Sequence, residues 1–129
     1  MTKTQLFSLA VCAASVLIGC RQGHNKTIDF IPGTYTNHAE GEYSVAYDTL
    51  IIQPLDGKSA TYRIYRKTGY RRIEGGKLLP PEHKTEEWTA MYNPETKSMQ
   101  ETKKGRMITV YPDAGRILVE RREYKKIKN

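Results

Sequence analysis

Asp48-Thr49-Leu50-Ile51-Ile52-Gln53-Pro54-Leu55-Asp56-Gly57-Lys58-Ser59-Ala60-Thr61-Tyr62-Arg63-Ile64-Tyr65-Arg66-Lys67-Thr68 decides the fold class of the chain. Asp48 to Gln53 is rich in β-branched and apolar residues, and it stops at Pro54, which has no N–H to give to a sheet. Asp56-Gly57 then supplies the left-handed backbone of a tight hairpin turn. Beyond it Tyr62, Ile64 and Arg66 alternate with Arg63, Tyr65 and Lys67, the period of a strand with one wet face. With Ile64 inward, Tyr62 points in beside it and Arg66 reaches the inner rim. Arg63, Tyr65 and Lys67 then face outward. The stretch is a β-hairpin.

The same chemistry repeats on both sides. Ile31 to Thr36 reads as an opening strand, and polar Asn37 to Glu42 leads to Tyr43-Ser44-Val45. Gly69 offers room for a bulge before Tyr70 to Glu74 continues and Gly75-Gly76 turns the chain. Lys77 to Thr85, with Pro80-Pro81, is the longest loop. Trp88, Ala90 and Tyr92 share one face of the next strand, and Asn93-Pro94-Glu95-Thr96 is a turn. Ser98 to Lys103, Arg106 to Tyr111 and Arg116 to Glu123 follow, separated by Lys104-Gly105 and Pro112-Asp113-Ala114-Gly115, before Tyr124 to Ile127.

Regular spacing of about 7–9 short strands, with no helical period, predicts an all-β antiparallel meander. Such a sheet has no helix to cover its apolar face and must curl. Closing into a small barrel also removes exposed edges. A two-sheet β-sandwich is the second architecture. The expected inner set is Tyr35, Leu50, Ile52, Tyr62, Ile64, Trp88, Ala90, Tyr92, Met107, Thr109, Ile117 and Val119.

The N-terminus carries a different signal. Lys3 precedes an apolar run from Leu6 to Ile18, and Gly19-Cys20 follows. A basic start, a short apolar segment and a small residue before a cysteine describe a secretory leader, and the run is shorter than the roughly 20 residues a spanning helix needs. Val16-Leu17-Ile18-Gly19-Cys20 resembles a bacterial lipobox, which implies cleavage before Cys20 and lipid on its sulfur. Residues 1–19 are then a signal peptide, 20–29 a flexible tether and 30–129 a single barrel-like domain. Cys12 leaves with the leader, so the mature chain has no second cysteine for a disulfide.

Gly33-x-Tyr35, Asp48-x-Leu50-x-Ile52, Tyr62-x-Ile64-x-Arg66, Trp88-x-Ala90-x-Tyr92 and Gly115-x-Ile117-x-Val119, ending in Tyr124-Lys125-Lys126, resemble the small lipocalin-like lipoproteins of the Bacteroidota. The likeness covers nearly all of the mature chain. It implies a calycin-type barrel in which Gly33-Thr34-Tyr35 packs beside a basic residue, Arg121 or Arg122. The family pattern has tryptophan where Tyr35 stands and a helix after the barrel, whereas Tyr124 to Asn129 is not expected to form one. Asp48-Thr49-Leu50 also resembles the short acceptor motif for O-glycosylation in these bacteria. Arg21 to Lys26 holds no acidic cluster resembling their surface-export signal, which implies the periplasmic face of the outer membrane.

The formal charge of +7 comes from 21 basic against 14 acidic residues, and the leader removes only Lys3. Such a balance favours solubility and weak attraction to anionic surfaces. The basic residues are scattered along strands, so they read as solvated faces. Nucleic acid is a disfavoured partner for an exported protein, with conjugation machinery as the exception. His38-Ala39-Glu40-Gly41-Glu42 and Glu82-His83-x-x-Glu86-Glu87 match no metal-ligand spacing, and His24 lies in the tether. Ser44, Ser59 and Ser98 lack a nucleophile elbow, and Gly75-Gly76-Lys77 lacks the spacing of a phosphate loop. Glu86, Glu87, Glu101 and Glu120 could form a hydrolytic pair only if the fold faced two of them across a cleft. No cofactor or metal is expected, and an enzyme is disfavoured.

Nine tyrosines and one tryptophan exceed the packing needs of so small a domain. Arg63, Tyr65 and Lys67 are the candidate partner-binding residues, and Cys20 is the lipidation site. The expected protein is a non-enzymatic envelope lipoprotein, a binding or accessory module. Its expected partners are the bilayer, through lipidated Cys20, and an acidic protein, a glycan or a small apolar ligand. The alternatives are an assembly subunit of an envelope or conjugation machine and, third, a small hydrolase.

Overall fold

Backbone pairing between successive alternating segments builds one sheet. The computed structural model describes residues 22–129 apart from 56, 58 and 59. Its elements are α1 (Gln22–Phe30), β1 (Gly33–Glu40), β2 (Ser44–Pro54), β3 (Thr61–Glu74) and β4 (Lys77–Leu78). They continue with β5 (Glu82–Asn93), β6 (Ser98–Glu101), β7 (Met107–Tyr111), a 3-10 turn (Pro112–Ala114), β8 (Arg116–Val119) and β9 (Arg122–Lys128). Every neighbouring pair is antiparallel, β2 pairs with both β1 and β3, and β9 returns to β1. The result is a closed eight-stranded up-and-down barrel, with β4 as an extra strand on the end of β3. Closure leaves no second sheet, so the sandwich alternative does not apply.

Directly paired residues share a face, which makes the register a map of the interior. Tyr35 faces Leu50, Ile52 faces Ile64, Ile64 faces Trp88, and Tyr62 faces Ala90. On the far wall Tyr92 faces Met99, Met99 faces Ile108, and Ile108 faces Val119. Val110 faces Ile117, which faces Tyr124. All of these side chains are buried in one core. Met107 and Thr109, expected inside, point out, and Ile108 and Val110 take their places. Both phases of Met107-Ile108-Thr109-Val110 carry apolar residues, and the better burial of the aliphatic pair, in register with Met99 and Val119, decides between them.

Several polar segments are strands. β1 runs on through Asn37 to Glu40, and β5 starts at Glu82, inside the stretch read as the longest loop. Neighbouring strands satisfy their backbone groups, so these arms need little apolar burial. The register runs unbroken through Gly69, so β3 is one continuous strand with no bulge there. The ring of His83 lies beside Gly69, 3.6 Å from where a Cβ would stand, an ordinary van der Waals contact. Of the β2–β3 turn, Asp56 and Lys58 lie outside the described residues. Gly57 has the expected positive φ, 72°, and Leu55 N donates to Thr61 O at 2.9 Å.

One end of the barrel is sealed. A flexible tether was expected over 20–29; of that span the described part, from Gln22 on, belongs to α1 (Gln22–Phe30), whose C-terminal half docks on the sheet. Lys26 pairs with Asp113 in the 3-10 turn, Thr27 is buried, and Ile31 enters the core. The Tyr35 hydroxyl lies 2.9 Å from the carbonyls of both Phe30 and Ile31. Burial pushes the Tyr35 phenol above its ordinary pKa, so it stays a donor. Lys126 Nζ donates to Phe30 O and stands 4.5 Å over the Phe30 ring. The basic partner of Gly33-Thr34-Tyr35 is therefore Lys126. Arg121 and Arg122 lie at the opposite end, because β9 runs from there toward the sealed end.

Gly33 is required by this seal. Its φ is 148°, and a Cβ there would stand 2.5 Å from Lys128 O and 2.7 Å from Lys126 Cε. Gly33→Ala should therefore lower stability by about 1–3 kcal/mol, the usual cost of forced overpacking. Thermal unfolding of the variant should show a clearly lower midpoint, and an unchanged midpoint would mean that β1 and β9 do not approach this closely.

Candidate functional site

The other end of the barrel is open. Its rim carries the β6–β7 turn (residues 102–105) and Glu120-Arg121 between β8 and β9. Within the rim lies a cleft of about 690 Å³, whose lining includes Asn37, Arg66, Trp88, Arg106, Val119 and Arg122. Alternation alone places Arg66 here, one step beyond Ile64 on the inner face of β3.

Asp48 organises this end. The same alternation carries it inward from Leu50 and Ile52, and it is 2 % exposed. Arg66 Nε donates to both of its oxygens at 3.0 and 2.9 Å, and Arg66 Nη2 lies 2.7 Å from Oδ2. The Thr68 hydroxyl donates to Oδ1 at 2.9 Å, and the Tyr124 hydroxyl to Oδ2 at 2.5 Å. Arg122 Nη1 stands farther off, at 3.7 Å. Burial works to raise the Asp48 pKa, but the hydrogen bonds from Arg66, Tyr124 and Thr68 outweigh it and hold the carboxyl below its usual value. Burial and the bond to Asp48 push the Tyr124 phenol up to about 12. On its other side Arg66 Nη1 pairs with Glu86 at 3.1 Å. Bridged in this way, Asp48 and Glu86 are two ionised carboxylates locked to one guanidinium.

Trp88 forms the apolar part of the mouth. It is 7 % exposed, and its ring lies 4.2 Å from the Arg106 guanidinium carbon and 5.6 Å from that of Arg66. Arg106 Nη1 is buried without a hydrogen-bond partner among the described residues. Beneath it Glu101, also buried, accepts from the backbone N–H groups of Lys103 and Lys104 at 2.9 and 2.8 Å and so fixes the rim turn. Burial acts to raise the Glu101 pKa, but these bonds outweigh it and leave the carboxyl lowered.

The candidate residues of the sequence reading lie elsewhere. Arg63, Tyr65 and Lys67 sit together on the outer face of β3, with Tyr65 opposite Glu87 of β5. Arg63 pairs with Glu87 at 3.1 Å and lies 3.5 Å from the Tyr65 hydroxyl, so part of the patch is neutralised in place. Cys20 lies outside the described residues. His38 Nε2 is 2.8 Å from Glu40 and its ring lies tilted, 4.4 Å from that of Tyr47, while His83 lies beside Gly69. Among the described residues, no group of three or more His, Cys, Asp or Glu side chains could hold a metal ion. Among them, too, no helix is long and apolar enough to cross a membrane.

Sequence reasoning placed Arg66 at the inner rim and Trp88 in the core, but it missed that they meet Asp48, Tyr124 and Arg106 in one site. The signal for Asp48 was the alternation through Leu50 and Ile52. Tyr124 lies 76 residues from Asp48, and only closure of β9 on β1 brings them together. No known protein family, curated protein or solved structure matches the chain.

Proposed function

We propose that the protein is a non-enzymatic lipoprotein of the cell envelope, held by lipid on Cys20 and acting as a binding or accessory module through the open mouth of its barrel. The observation that carries this reading is the polarity of the barrel. α1, Ile31 and Tyr35 seal one end, and the other opens into the 690 Å³ cleft. That volume falls within the range of about 300–1,000 Å³ typical of small-molecule sites. α1 starts at Gln22 and docks at the sealed end through Lys26 and Phe30. The step from Cys20 to Gln22 spans at most about 7 Å of chain. A lipid on Cys20 would thus bring the bilayer toward the sealed end and leave the mouth turned away from it, toward the periplasm.

The test is the anchor. Cys20→Ser should leave unprocessed precursor or unlipidated chain and abolish stable membrane association, because two acyl chains supply anchoring that one does not. Fractionation of the variant like the native protein would overturn the lipoprotein reading. Degradation of the native protein by protease on intact cells would overturn its placement on the periplasmic side.

A further inference from the structure

We infer that the mouth is a site for a small organic anion, a carboxylate or phosphate group carried on an apolar body, with Arg106 and Arg122 holding the oxyanion and Trp88 the body. This rests on the reading of the mouth as a binding site and adds the class of ligand.

The charge arrangement carries the inference. Among the described residues two acidic side chains line the cleft, and both are directed to other partners. Glu120 accepts from the Met107 N–H at 3.1 Å, and Glu123 pairs with Arg116 at 3.3 Å. Asp48 is saturated by Arg66, Thr68 and Tyr124, and Arg122 reaches it only at 3.7 Å. Arg106 feels the field of Glu86 and Glu101, but its buried Nη1 has no acceptor among the described residues. A buried donor of a charged group left unpaired is expensive, and native structures supply its partner from protein, water or ligand. Guanidinium forks match carboxylate and phosphate geometry better than any other side chain.

The apolar component is equally specific. Trp88 forms a nearly buried wall between Arg66 and Arg106, and Val119 and Ala39 complete an apolar lining beside the guanidinium groups. A bare ion would leave that surface unused. A neutral apolar molecule would leave Arg106 Nη1 unpaired and desolvated.

Trp88 is the chain's single tryptophan, so its fluorescence reports on this site alone. The full chain, purified in a nonionic detergent, is titrated with phenyl phosphate and hexanoate, with inorganic phosphate, and with the neutral analogues phenol and hexanol. The expected result is a saturable change in Trp88 emission with the organic anions, and binding of the neutral analogues about tenfold weaker or more. Inorganic phosphate should bind more weakly than phenyl phosphate. Arg106→Met, which keeps the stem against Trp88, should weaken anion binding about tenfold or more, and Arg122→Gln should weaken it as well. Lys125→Gln, on the outer face of β9, should leave it unchanged. Circular dichroism of each variant checks the fold, and Arg122→Gln carries the test if Arg106→Met fails to fold. Neutral analogues binding as well as anions, or folded Arg106 and Arg122 variants binding like the native chain, would overturn the inference while leaving the mouth a binding site. No saturable response to any probe would mean that water alone serves Arg106 Nη1, and would overturn the inference and the mouth's role together. The Cys20 experiment is independent of both outcomes.

Discussion

Replacing Asp48 with alanine should lower the stability of the barrel by about 3 kcal/mol, the lower end of the range for removing one partner of a buried ion pair. The lower end applies because Arg66 keeps Glu86 and its side chain is 21 % exposed, so the stranded guanidinium is partly compensated. The Thr68 and Tyr124 hydroxyls also lose their common acceptor, and the bonds they made tie β3 and β9 to β2. Such a loss is a large part of the roughly 5–15 kcal/mol that holds a typical domain together. Urea unfolding followed by circular dichroism measures it, and a midpoint within error of the native protein would mean that the network contributes nothing net. The same group sets the acid response. The Asp48 carboxyl is held below its ordinary value in the fold, so the unfolded chain takes up its proton first. The network's stabilisation is therefore complete above the unfolded carboxyl value of about 3.9 and is lost as pH falls through the lower folded value. Glu86 and Glu101 are also held low and act in the same direction. Native protein should keep its stability down to about pH 4 and lose it progressively below, and Asp48→Ala should show a shallower loss over that window.

Trp88→Ala should cost about 3–5 kcal/mol, the usual range for truncating a buried aromatic side chain. Trp88 packs at the junction between the apolar layer, where it faces Ile64, and the charged mouth, where Arg106 and Arg66 flank its ring. Truncation removes apolar burial and both cation–aromatic contacts, and it opens the core to water from the mouth. Trp88→Phe keeps a ring for both guanidinium groups and should cost clearly less. Unfolding must be followed by circular dichroism, because both variants lack the chain's single tryptophan. Equal stability of the alanine variant and the native protein would place Trp88 outside the load of the core.

The fold was legible where one phase of the alternation was apolar and the other polar. Tyr62-Arg63-Ile64-Tyr65-Arg66-Lys67 is such a stretch, and the structure places each of its side chains on the face that alternation predicts. Met107 to Val110 was ambiguous because each phase holds an apolar residue, and only the neighbouring strands choose between them. The polar ends of β1 and β5 were missed because backbone pairing rather than burial holds them in the sheet. α1 was missed because Gln22–Phe30 has no apolar period, and the contacts on its last turn come from Asp113 and Lys126, far along the chain. The mouth was half legible. Arg66 followed from its own strand, whereas its meeting with Arg106, Arg122 and Tyr124 depends on barrel closure, which no single stretch encodes.

The barrel is proposed to be held to a membrane by lipid on Cys20, with its mouth free to bind. Mass spectrometry of the protein isolated from the envelope tests the anchor most directly. The expected result is an N-terminal peptide that begins at Cys20 and carries the added mass of a diacylglyceryl group. A peptide that retains residues 1–19, or one that contains an unmodified Cys20, would contradict it.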